Sequence, residues 1–137
     1  MRVTMLVLLA DLAASGPALA APADAFGVWI TGDGSGRVEV TPCGPSACGA
    51  ILGGTDGSQP RTDAKNPNRA LRNRPLIGLR ILDNFTRTEG GWVNGRIYDP
   101  NSGNTYRSEL LPQTNGTMLL KGCFGPFCRT ETWRRAS

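Results

Sequence analysis

From Phe26 to the C-terminus, short β-prone runs are cut at close intervals by Gly, Pro, Asn and Asp, and no stretch keeps a helical period. With 18 Gly and 10 Pro in 137 residues, few segments are long enough for a stable helix. This punctuation predicts strands at 27–31, 37–41, 47–52, 76–85, 92–99, 104–111, 117–122 and 129–134. Turns are expected at 32–36, 84–91, 100–103 and 115–116, where the residues able to adopt turn dihedrals cluster. About eight short strands joined by tight turns make an all-β antiparallel meander. Closing it into a barrel removes the exposed edges.

Period-two patterning supports half-buried strands. Val38 and Val40 share one face, with Arg37, Glu39 and Thr41 on the other. Further on, Val93, Gly95 and Ile97 are expected to oppose Trp92, Asn94, Arg96 and Tyr98, a face that suits either solvent or a polar cavity lining. One segment breaks the rhythm. Residues 53–75 show no apolar alternation and carry Asp56, Asp63, Lys65, Asn66, Asn68, Arg69, Arg72 and Arg74. A polar loop of that length is expected to form a strap across one end of the barrel, with a helical turn at 68–73 after Pro67.

The N-terminus carries an address. Arg2, the apolar run 3–14 and the small-residue ending Ala18-Leu19-Ala20 follow the order of a secretory signal. Residues 1–20 are therefore expected to be removed, leaving 21–137 as one exported domain, periplasmic or secreted, with no transmembrane segment. The leader takes one Arg and one Asp with it, so the net charge of +4 is unchanged. That balance is too dilute for a nucleic-acid-binding stripe, and no nucleic-acid partner is expected. All four cysteines lie in the exported part as two close pairs, Cys43 with Cys48 around Gly-Pro-Ser-Ala and Cys123 with Cys128 around Phe-Gly-Pro-Phe. Four cysteines allow three pairings; the Gly-Pro bends favour two local disulfides. A four-thiolate zinc site is the rival, although its short-arm spacing is usually tighter.

Catalytic chemistry has little to work with. The chain contains no histidine, which removes every Ser-His or Cys-His arrangement and the commonest metal ligand. Lysine is limited to Lys65 and Lys121. Acidic residues are scattered through turns, where capping is their ordinary role, although a carboxylate pair of the glycosidase kind is conceivable. The run Asp99-Pro100-Asn101-Ser102-Gly103-Asn104 lacks the ligand pattern of a calcium loop and reads as a hairpin turn. No catalytic residue, metal or cofactor is expected.

Ordered motifs along the chain carry a resemblance: Gly27-Val28-Trp29, Cys43-Gly44 with Cys48-Gly49, Asp63-Ala64-Lys65-Asn66-Pro67-Asn68 and Arg74-Pro75-Leu76-Ile77-Gly78. The series continues through Trp92-x-x-Gly95-x-Ile97-Tyr98-Asp99-Pro100-x-x-Gly103-x-x-Tyr106, then Gly122 and Thr132-Trp133-Arg134. Together they resemble bacterial exported proteins catalogued as domain of unknown function 2147, a family without an established activity. The Gly27-x-Trp29 opening and the closing Trp133-Arg134 are also similar to lipocalins and other calycins. There a first-strand Trp packs against an Arg near the last strand, which implies a calycin-like barrel. A barrel of this kind is expected to bind a small molecule or envelope component at its mouth and under the strap. Asp63, Asn66, Arg74, Arg96 and Tyr98 would supply polar contacts and Trp92 apolar surface. The competing expectations are that Asp63 and Asn66 only pin the loop, and that the barrel is filled by its own side chains and holds nothing.

Overall fold

The computed structural model describes residues 24–55 and 62–136, so the expected leader, residues 1–20, lies outside the described residues. Nine strands follow in order: β1 (Gly27–Ile30), β2 (Gly36–Cys43), β3 (Ser46–Gly54), β4 (Arg80–Asp83), β5 (Thr86–Thr88), β6 (Gly91–Asp99), β7 (Asn104–Pro112), β8 (Thr117–Phe124) and β9 (Phe127–Arg135). Their hydrogen-bonded order is β4-β3-β2-β1-β9-β8-β7-β6-β5, and β4 also pairs with β6. That last pairing closes eight strands into an antiparallel barrel and leaves β5 as an extra strand on β6.

The two Gly-Pro hairpins have one physical cause. In each, Gly (Gly44, φ 60; Gly125, φ 57) takes the first loop position and Pro the second. This is the two-residue type II′ pattern, whose twist matches that of the strands it joins. Cys43 and Cys48, and Cys123 and Cys128, are joined as disulfides across these hairpins. The second bridge links directly opposed residues, and at this hairpin β8 and β9 each run two residues past their expected ends.

Three sequence expectations are corrected. The strand expected at 76–85 starts only at Arg80, because 76–79 form a tight turn in which the Leu79 N–H donates to the Leu76 carbonyl. Within the turn expected at 84–91 lies β5. Leu82 pairs with Ile97 and Thr86 with Val93, a step of four on both strands, so β5 continues β4 in one register past a break at Asn84 (φ 63). Finally, Trp92 does not share a face with Arg96 and Tyr98. A bulge lies between Trp92 and Gly95, with Asn94 at φ 56. One inserted residue reverses side-chain parity, so Trp92, Gly95 and Ile97 all oppose the inward face of β7.

The core fills one end of the barrel. Trp29, Leu82, Leu110 and Met118 are fully buried there, beside Phe85 and Trp92. Trp29 Nε1 donates to the Ala25 carbonyl at 2.8 Å, and the Arg135 guanidinium lies 4.3 Å from the Trp29 ring centroid. Arg135 also donates to the carbonyls of Phe26 and Asp24, both at 2.9 Å, tying the chain entering β1 to the end of β9. The resemblance pointed to Arg134 for this role. Alternation explains the difference: Arg135 shares the face of β9 that carries buried Trp133, whereas Arg134 lies on the opposite face.

Candidate functional site

The other end of the barrel is open. Inward side chains shrink along β8 from Met118 and Leu120 to Gly122, so packing stops short of the mouth. What is left is a cavity of about 810 Å³ with apolar walls that include Val38, Ile51, Ile97, Leu120 and Trp133. The mouth also carries Phe124 and Phe127 on the β8–β9 hairpin, exposed by 66% and 78%. Phe124 makes an edge-on contact with Tyr106, with centroids 6.1 Å apart, while Arg37 and Arg129 add positive charge to the lining.

Three carboxylates border the cavity, and each is engaged locally. Asp33 accepts from the Thr31 and Ser35 hydroxyls and the Ser35 N–H. The Ser35 backbone bond, helped by the Thr31 hydroxyl, lowers its pKa against the opposing effect of burial. Asp99 caps its turn through the Asn101 N–H and the Ser102 hydroxyl, the hairpin role expected for this run. Glu131 accepts from Trp133 Nε1 at 3.2 Å. Among the described residues no three His, Cys, Asp or Glu side chains come together to hold a metal.

The strap, residues 62–75, is anchored by Asp63. Its carboxylate is fully buried and accepts from Tyr98 Oη (2.6 Å), Asn66 Nδ2 (2.8 Å) and Arg74 Nε (2.9 Å). Burial alone would raise the Asp63 pKa, but the bonds from Tyr98, Asn66 and Arg74 outweigh it and hold the carboxyl below its usual value. Tyr98 is pushed up to about 12 by burial, by donating to Asp63 and by that residue's charge. The strap also closes on itself. The Asp63 N–H donates to the Arg74 carbonyl, and Arg72 Nε donates to the Asn66 carbonyl at 2.7 Å. The expected helical turn is a short 3-10 helix, Arg69–Leu71, capped by the Asn68 side chain. Gly103 is where the strap meets the β6–β7 turn: a Cβ there would run into the Lys65 carbonyl.

Of the six residues expected at a site, the structure brings Asp63, Asn66, Arg74 and Tyr98 into one hydrogen-bonded group. Asn66, Arg74, Tyr98 and Arg96 also border a shallow depression of about 260 Å³ outside the barrel. Arg96 forms an exposed ion pair with Asp83, its cross-strand neighbour, at 3.2 Å. Trp92 lies apart at the closed end, with Phe26 5.8 Å away and the Arg87 guanidinium 5.1 Å from its ring. Only Tyr98 also borders the barrel cavity. Sequence reasoning missed the cavity walls and Arg80; the falling size of inward residues along β8 was the readable sign of the first.

An eight-stranded antiparallel barrel with one packed end, one open end and an Arg over the first-strand Trp is a lipocalin-like barrel. Over residues 27–135 the chain matches the family described as "Uncharacterized protein conserved in bacteria (DUF2147)", and it belongs to that family. It is similar to a solved Helicobacter pylori structure described as "Protein HP1028 from the human pathogen Helicobacter pylori belongs to the lipocalin family". The two are 26% identical with a TM-score of 0.76, covering 85% of this chain and 83% of that one. No curated protein matches the chain. Among the described residues no helix is long and apolar enough to cross a membrane.

Proposed function

We propose that this protein is exported and holds a small apolar or amphipathic molecule, or an envelope component, in the open half of its barrel. One observation carries the reading: the cavity of about 810 Å³. Its size lies within the range of roughly 300–1,000 Å³ usual for small-molecule sites, and its lining combines apolar walls with charged groups such as Arg37 and Arg129, which suits an amphipathic ligand. A filled barrel without a ligand would leave no such space. Two disulfides suit an oxidising compartment and support export. Binding is favoured over catalysis because Asp33, Asp99 and Glu131 are occupied by their own turns and neighbours. In this reading Asp63, Asn66 and Arg74 act as strap fasteners, and the ligand touches the cavity walls and the aromatic mouth.

Gly122 offers a direct test. A Cβ added there meets only the Tyr106 Cβ, at 3.7 Å, an ordinary contact, and Gly122→Phe is expected to fill part of the cavity. Binding of N-phenyl-1-naphthylamine, followed by fluorescence, is expected for the wild type and lost in Gly122→Phe with the far-UV spectrum unchanged. Equal binding by the two proteins refutes the cavity as the site. Native mass spectrometry of periplasm-purified protein identifies any retained molecule.

A further inference from the structure

On the outer wall of the barrel, the strap, β4, β6 and the start of β7 enclose the depression of about 260 Å³. Three guanidiniums border it, those of Arg74, Arg80 and Arg96, and a single carboxylate, Asp83. Asp63 lies beneath and is fully buried, its oxygens taken by Tyr98, Asn66 and Arg74.

The two ion pairs leave donors free. Arg74 and Arg96 each reach a carboxylate through Nε, at 2.9 and 3.2 Å. Among the described residues, the terminal nitrogens of neither side chain have a protein acceptor, and the Arg80 side chain makes no hydrogen bond or ion pair. A guanidinium carries five N–H donors in a planar fork, and that fork matches the spacing of oxygens on a tetrahedral oxyanion. Three cations against two carboxylates, Asp83 and the buried Asp63, leave one net positive charge. Compact, multiply charged anions gain most from such a cluster.

We infer that this depression binds a phosphoryl group. Its volume leaves room for the group to which the phosphate is attached, and the exposed Thr105 lies at its edge. Being outside the barrel, the site does not depend on whether the interior cavity holds a ligand.

The test uses the full exported chain and two probes at fixed ionic strength. One is inorganic phosphate, followed by calorimetry and by the arginine Nε–H NMR signals; the other is vesicles of phosphatidylglycerol, with phosphatidylcholine vesicles as the uncharged control. Saturable binding of at least one probe is expected. Arg80→Gln should weaken it by about tenfold, and its melting temperature should match the wild type because the Arg80 side chain bonds nothing among the described residues. Arg134→Gln removes an exposed cation from β9, on the far side of the barrel from β4, and should leave binding unchanged. Arg80-dependent binding of free phosphate assigns a soluble phosphorylated ligand, and Arg80-dependent binding of the anionic vesicles assigns a lipid headgroup. Binding that is absent for both probes, or that falls equally in Arg80→Gln and Arg134→Gln, overturns the inference.

Discussion

Asp63→Ala tests whether one buried carboxylate holds the strap to the barrel. The substitution removes three hydrogen bonds, from Tyr98 at 2.6 Å, Asn66 at 2.8 Å and Arg74 at 2.9 Å. Bonds to a charged acceptor contribute about 1.5–3 kcal/mol each. Their sum overstates the effect, because the carboxylate is desolvated in the fold and the Arg74 side chain, 34% exposed, regains water when released. Against that, the Asn66 amide, only 5% exposed, is left without its acceptor. The balance is a net loss of about 3–4 kcal/mol, the scale for breaking a buried, hydrogen-bonded charge. For a domain of this size that lowers the melting temperature by roughly 15–20 °C. Urea unfolding with a double-mutant cycle against Tyr98→Phe gives the measurement. The two substitutions should be non-additive by about 1 kcal/mol or more, since they share one bond. Asp83→Ala is the comparison: its ion pair with Arg96 is largely exposed, and it should cost less than about 1 kcal/mol. An Asp63→Ala loss no greater than that of Asp83→Ala, or full additivity with Tyr98→Phe, refutes the fastening role.

The same group predicts a two-sided pH profile. Asp63 has a lowered folded pKa, so its contribution is complete above the ordinary carboxylate range and disappears as pH falls through the lowered value. Tyr98 is raised from 10.0 to about 12, so its contribution is complete below pH 10 and is lost as pH rises toward 12. Unfolding free energies across pH should show both limbs, with Tyr98→Phe flattening the alkaline one. Gly95→Ala is expected to cost about 1–3 kcal/mol, because a Cβ there overlaps the Phe85 ring; chemical denaturation checks this, and a neutral result would mean the ring moves freely. Ser108 sits inward between Gly95 and Gly122 with its hydroxyl 1% exposed and unpartnered among the described residues. Ser108→Ala should therefore stabilise the barrel by about 1 kcal/mol in the same assay, whereas a loss would reveal a bound partner for Oγ.

Much of this barrel can be read directly from its residues. Alternation at Val38 and Val40, the Gly-Pro bends and the apolar runs located the strands and both disulfides, because each is set by local chemistry. The polar strap was visible in its charge and in Asn68, which caps the short helix. The bulge at Asn94 was not, since a strict period of two cannot register an inserted residue. Its trace was an Asn before a Gly, a residue that tolerates positive φ. The same parity logic separates Arg135 from Arg134 at the barrel floor. The sequence places Asp63, Asn66 and Arg74 in the strap, but which groups they bond depends on contacts up to 35 positions apart, as between Asp63 and Tyr98. Arg80 entered the depression only through the pairing of β4 with β6.

The filled floor and the empty mouth divide the chain's obligations. Trp29, Leu110, Met118 and the Arg135 clasp bear the thermodynamic load at one end. Phe124, Phe127 and Arg129 at the other end bury little of themselves and support little of the fold. Mutation is therefore cheap at the rim and expensive at the floor. A lineage built on this plan is free to diverge in what it carries while its architecture stays the same.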